Sequence, residues 1–219
     1  IFDENPINRL KNTNDLPKKD NNFDEVDKEK ELNELKLQIN SINNCNLKDE
    51  SKKIVLGDGN TNSTIMLVGE APGLEEYNTG KTFSGEAGDL LKKMLNAINI
   101  KKENIYSTYA VNFRPPEDRK PSPKEIKRYS QFLQKQISII KPKLIILMGS
   151  TAMESLTGLN SKISMERGKW KEVIVQNTTY NTIITFNPSY LLRAPENKKY
   201  SWEDLKKIKQ KIIDLKLKI

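Results

Sequence analysis

Apolar residues recur along this chain in two rhythms, and their alternation predicts the architecture. Thr64 to Val68 and Lys143 to Met148, the latter with the core Leu144-Ile145-Ile146-Leu147, are continuous apolar runs, the signature of strands buried on both faces. Ile105 to Val111 reads as a further strand, as do Val173-Ile174-Val175 and Thr182 to Phe186. Helical spacing separates them. Gly85 to Ile98 carries Leu90, Leu91, Met94 and Leu95 on one side, Pro123 to Ile140 is a long helix, and Thr151 to Leu156 is a short one. Ser201 to Leu217 predicts a terminal helix, with Ser201 as its cap and acids in its first turn. Upstream, Leu32, Leu35, Leu37, Ile39 and Ile42 predict an amphipathic helix from Glu31 to near Asn43-Asn44. Ile54-Val55-Leu56 follows as an extended piece, and Gly57-Asp58-Gly59-Asn60 as a sharp bend. Strands alternating with helices in this way imply an α/β domain whose mainly parallel sheet is covered on both faces.

Residues 1–30 break the rhythm. They are dense in Asn, Asp and Lys and nearly free of apolar periodicity, so they predict a disordered, charged N-terminal arm, with the folded domain over 31–219. The overall balance of 36% hydrophobic and 30% charged residues agrees with part of the chain staying outside the core. Lys and Arg number 37 against 29 Asp and Glu, a net charge of +8 that makes a polyanion a natural partner. An AT-rich genome would produce the same excess of Lys, Asn and Ile. The single cysteine, Cys45, excludes an internal disulfide, and the absence of histidine removes the commonest general base and the commonest zinc ligand together. No apolar run reaches the roughly 20 residues needed to span a bilayer. An intracellular, cytoplasmic protein without membrane contact is expected.

Ligands of such sheets bind at the carboxyl ends of the strands. Gly69-Glu70, Tyr109, Gly149-Ser150 and Asn187-Pro188-Ser189 all fall there. Gly69-Glu70-Ala71-Pro72-Gly73 forms a stiff turn with one carboxylate, placed either to orient a water or simply to face solvent. Phe83, between two glycines and just before a helix, either stacks on a flat base or plugs the core. Arg114-Pro115-Pro116 with Arg119 and Lys120 is a rigid basic loop that suits phosphate contact or solvent equally. In Asn187 to Arg193, the pair Leu191-Leu192 beside Ser189 and Arg193 has the chemistry of a wedge that opens a base step, or of leucines packing inward.

Taken in order, these blocks resemble the uracil-DNA glycosylase superfamily, and within it the bacterial and archaeal family 4 enzymes. The correspondence runs from about Glu31 to Leu217. It includes Val55 to Asn60, Met66 to Gly73, Gly80 to Gly88, Arg114-Pro115-Pro116, Arg167-Gly168, Asn187 to Arg193 and Trp202-Glu203-Asp204-Leu205. The resemblance implies a three-layer α/β/α fold around a mainly parallel four-stranded sheet, a monomer, and single- or double-stranded DNA as partner. It also implies a flipped base stacked on Phe83 in a pocket lined by Gly69, Ala71, Pro72 and Gly73, with Glu70 positioning the hydrolytic water. Asn187 would stabilise the departing base. Leu191 or Leu192 would be the wedge, and Arg114, Ser189 and Arg193 would contact the phosphates.

Three departures from the family pattern are visible. The usual His is Asn187, and the Asn that reads the edge of uracil is Tyr109. The four cysteines of the family's iron–sulfur cluster correspond to Ile42, Cys45, Phe113 and Tyr129, so no cofactor is expected. Three readings follow: a glycosylase of weakened or altered specificity, a catalytically inactive DNA-binding or scaffold domain on the same fold, and a small-molecule nucleotide hydrolase. The leucine pair and the positive charge disfavour the last. The N-terminal arm would suit tethering to a partner protein or drawing in DNA by its charge, or it has no role.

Overall fold

The computed structural model describes residues 21–217. Among these, six strands form one sheet: β1 (Gly57–Gly59), β2 (Ile65–Gly69), β3 (Tyr106–Tyr109), β4 (Leu144–Met148), β5 (Trp170–Val175) and β6 (Thr178–Thr185), in the order β1-β3-β2-β4-β6-β5. The helices are α1 (Asn21–Asn40), α2 (Asn46–Ser51), α3 (Leu74–Thr79), α4 (Gly85–Asn96), α5 (Pro123–Ile140), α6 (Ser150–Thr157), α7 (Ile163–Glu166), α8 (Pro188–Arg193) and α9 (Lys198–Asp214).

The two most apolar runs, β2 and β4, lie side by side with every residue buried. With β3 and β6 they make a parallel core of four strands. The expected count of four is corrected to six, because β1 and β5 add antiparallel edges. The bend expected at Gly57-Asp58-Gly59 is the first of these edges, paired with β3. The other forms a hairpin with β6 through Gln176 (φ 45°) and Asn177 (φ 65°), the left-handed pair that a two-residue hairpin turn requires.

Side-chain alternation along the central strands divides the interior into two cores. Met66, Val68, Ile145 and Leu147 pack with Leu35 and Ile39 of α1, Tyr129 and Leu133 of α5, and Met153 of α6. Ile65, Leu67, Leu144 and Ile146 face the opposite way, toward Leu91 and Leu95 of α4 and Leu205 and Ile208 of α9. Helices therefore cover both faces, as continuous apolar strands demand.

Two helices start earlier than expected. Among the described residues α1 runs from Asn21, so the boundary expected at residue 30 falls inside it, and residues 1–20 of the expected arm lie outside the described residues. Helix α9 begins at Lys198, so Ser201 is a buried first-turn residue and not the cap. What fastens α9 is Asp204, fully buried, which accepts hydrogen bonds from the Thr185 hydroxyl (2.8 Å), from Arg167 Nε (3.0 Å) and from Arg167 Nη2. Burial pushes the Asp204 carboxyl up, and the Thr185 and Arg167 contacts oppose that shift. Two sequence blocks far apart in the chain are thus one ion pair. No helix among the described residues is long and apolar enough to cross a membrane.

Helix α5 has the bounds its sequence predicts. Pro123 occupies its first turn, and Ser122 and Glu125 form a reciprocal capping box in which Glu125 accepts from Ser122 N–H at 2.6 Å. Arg119 donates two further bonds to the same carboxylate, at 2.9 and 2.8 Å. These contacts, the guanidinium foremost, hold the Glu125 carboxyl at about 2, below its ordinary 4.5. Because the folded value is depressed, its stabilising effect is full above pH 4.5 and is lost as the pH falls through about 2. Glu125→Gln should cost about 1 kcal/mol at neutral pH. Denaturant unfolding across a pH series should show that deficit shrinking below pH 4.5, and a pH-independent deficit would contradict this account.

Candidate active site

A cleft of about 1180 Å³ opens at the carboxyl ends of the parallel strands. Nine of the residues expected from the sequence line it together: Glu70, Ala71, Pro72, Gly73, Phe83, Tyr109, Asn187, Ser189 and Arg193. Four others do not. Gly69 lies beneath the cleft, where a Cβ would stand 2.7 Å from the Tyr109 ring and 2.9 Å from that of Phe83; only glycine lets the two rings close over β2. Leu191 is 0% exposed and belongs to the core below α8, whereas Leu192 is 38% exposed. Burial removes Leu191 as a candidate wedge and leaves Leu192. Arg114 is turned to Asp118 in a two-pronged pair of 2.7 and 2.8 Å.

Glu70 is held at both ends. Its carbonyl accepts from Val111 N–H at 3.1 Å, continuing the β2–β3 ladder, and its Oε2 accepts from the Thr151 hydroxyl at 2.7 Å. Thr151, fully buried in the first turn of α6, thereby fixes the carboxylate from the neighbouring strand connection. Oε1 has no protein partner among the described residues and is free to accept from a ligand or water.

Across the cleft, Asn187 caps α8. Its Oδ1 accepts from Ser189 N–H at 2.9 Å and its Nδ2 donates to the Met148 carbonyl at 3.3 Å. These bonds define the amide orientation and leave one Nδ2 hydrogen without a protein acceptor. The segment Pro188–Arg193 is a short helix. Asn followed by Pro, a cap residue and a first-turn proline, is the signal that announces it.

Phe83 and Tyr109 form the floor, 4% and 3% exposed, with ring centroids 5.3 Å apart and planes at 40°. Burial, followed by the negative charge of Glu76, holds the Tyr109 phenol well above its ordinary range, so it stays protonated. Glu76 is a site residue that sequence reasoning missed. Its Oε2 accepts from Gly73 N–H and its Oε1 from Ser84 N–H, both at 2.9 Å, so it clamps the Glu70 turn to the loop carrying Phe83. An acid three residues after a helix cap is the signal that could have found it.

Around the rim stand the carboxylates of Glu75, Glu86, Asp89 and Asp118, and the cations Arg119, Lys120 and Arg193. Arg119 is engaged with Glu125. Lys120 donates to the Ser150 hydroxyl at 3.0 Å, and neither it nor Arg193 is in an ion pair among the described residues.

Comparison with known proteins gives this arrangement a lineage. The Uracil DNA glycosylase superfamily matches residues 56–208, from the end of the extended piece before β1 into α9. The chain belongs to the uracil-DNA glycosylase superfamily. It is 38% identical over 168 residues to the type-4 uracil-DNA glycosylase of Thermotoga maritima, covering 75% of this chain and 86% of that one. The corresponding protein of Archaeoglobus fulgidus is 33% identical over 181 residues, covering 81% and 91%. A DNA polymerase of Bacillus phage SP01 is 32% identical over 160 residues, 73% of this chain and 17% of its own length.

Three of the four positions that the resemblance matched to cluster cysteines, Cys45, Phe113 and Tyr129, meet within one core. Phe113 and Tyr129 are fully buried, their centroids 6.2 Å apart at 72°, and the Tyr129 hydroxyl lies 3.2 Å from Cys45 Sγ. Ile42, half-buried, packs against the core that contains them. These residues do not fit an iron–sulfur cluster, which takes four thiolates; one thiol is present, and the aromatic rings fill the space around it. Burial and the adjacent Cys45 raise the Tyr129 phenol, which keeps its proton for that contact. The purified protein should therefore be colourless, with a thermal midpoint indifferent to iron chelators. Stoichiometric iron after anaerobic purification would contradict this.

Proposed function

We propose that the protein is a DNA glycosylase that hydrolyses the N-glycosidic bond of uracil or another deaminated base. The observation that carries this reading is Glu70, anchored by Thr151 with one oxygen unengaged, opposite an Asn187 amide with one hydrogen unengaged. Breaking the bond between the sugar C1′ and the base leaves cationic character on the sugar and sends the electron pair into the base. Glu70 orients a water toward C1′ and takes its proton as the new C–O bond forms; that proton returns to solvent, from which the base anion is protonated. Asn187 donates to the oxygen of the departing base. The products are an abasic site and the free base.

Such chemistry requires the base to leave the stack. Leu192, raised on α8, suits the gap left behind, and Lys120, Ser189 and Arg193 suit phosphates on either side. Arg114 would have to release Asp118 first. One observation favours a second reading, a DNA-binding domain without catalysis: Tyr109 fills the floor where a base edge would be read.

Uracil-containing single- and double-stranded oligonucleotides, treated with alkali after incubation, separate the two. Release by the wild type should fall about 10²–10⁴-fold in Glu70→Ala and about 10²–10³-fold in Asn187→Ala. No release at high enzyme excess, with duplex binding intact, would leave the second reading.

A further inference from the structure

Three successive backbone N–H groups in the loop before α4 are each held by a different side chain. Asp58 Oδ2 accepts from Thr82 N–H at 2.8 Å, and its Oδ1 takes the Thr82 hydroxyl at 2.6 Å. The Tyr109 hydroxyl accepts from Phe83 N–H at 2.8 Å. Glu76 Oε1 accepts from Ser84 N–H. Lys102 Nζ completes the grip from the other side, donating to the carbonyls of Thr82 (2.8 Å) and Phe83 (3.2 Å).

The loop needs this many ties. Phe83 sits at φ 49°, a left-handed conformation that a bulky residue adopts only under strain. Its carbonyl also presses on α4 so closely that a Cβ on Gly88 would come within 1.8 Å of it. A strained backbone persists only where its surroundings over-determine it, and here they do so at the residue whose ring faces the cleft.

The Tyr109 hydroxyl is correspondingly occupied. It accepts from Phe83 N–H at 2.8 Å, and the negative charge of Glu76 nearby keeps the phenol protonated. That bond ties the hydroxyl to the loop backbone.

We infer that Tyr109 is a positioning residue for Phe83, holding the stacking ring in place without reading the edge of the bound base. Discrimination among bases then rests on fit and stacking against Phe83, not on hydrogen bonds from position 109. This deepens the glycosylase reading and rests on it.

Tyr109→Phe removes the hydroxyl and keeps the ring. Two measurements on the full chain test it, with Tyr106→Phe as control, since that phenol on the same strand serves Gln136 (2.7 Å). In Tyr109→Phe the Phe83 amide should exchange with solvent about tenfold faster, while the amides of β2 and the control variant are unchanged. Release of uracil and of hypoxanthine from oligonucleotides should slow together, by about three- to tenfold, with their ratio preserved. A shifted ratio with an unchanged Phe83 amide would overturn the inference and make Tyr109 a reader of the base. If the wild type releases neither base, the glycosylase reading fails separately. The exchange of the Phe83 amide then decides alone whether Tyr109 holds the loop.

Discussion

Strand β2 is hydrogen-bonded on both sides, to β3 and to β4, and the cleft depends on that double constraint. A strand so fixed ends at one place only, and Glu70 is the first residue past its end. The ladder to β3 continues one step further, through Val111 N–H to the Glu70 carbonyl, so even the turn's first peptide is not free. From the β4 side comes Thr151, which fixes the carboxylate itself. The Glu70 carboxylate is thus located by the two neighbouring strands, and the turn needs only to be stiff. Pro72 and the clamp of Glu76 on Gly73 N–H supply that stiffness.

How far this could be read from the sequence depended on the range of each interaction. Helix α5 was legible because its cap, its first-turn proline and its apolar face lie within one segment. β2 and β4 were legible because burial on both faces writes an unbroken apolar run. Strand β1 was not, since Gly57-Asp58-Gly59 has almost no side-chain pattern and is made a strand by its partner β3. The same holds at the site. Glu70, Phe83 and Asn187 stood out through local motif and strand-end position, while Thr151, which orients Glu70, is distant in sequence and carries no signal of its own. Leu191 and Leu192 were indistinguishable until α8 turned one inward and one outward.

Two core features do similar mechanical work by different means. The Arg167–Asp204 pair ties α9 to the loop before β5 and, through Thr185, to the end of β6. Removing either partner would strand a charge in the interior, so the tie resists piecemeal change. On the opposite face, Cys45, Phe113 and Tyr129 join the segment after α1 to the end of the β3 connection and to α5 by ring packing and one weak hydrogen bond. Such a cluster tolerates gradual substitution, because its strength is spread over many small contacts.

The strand order has a further consequence. Glu70 and Asn187 come from opposite ends of the folded region, yet their strands are separated in the sheet only by β4. The first half of the chain brings Glu70, Phe83 and Tyr109, and Asn187 joins them only once β6 has paired with β4. Reaching the native state requires pairing segments remote in sequence, which places the entropic cost of closing long loops ahead of any reward. The protein should accordingly fold as one cooperative and rather slow unit, with the cleft among the last features to assemble.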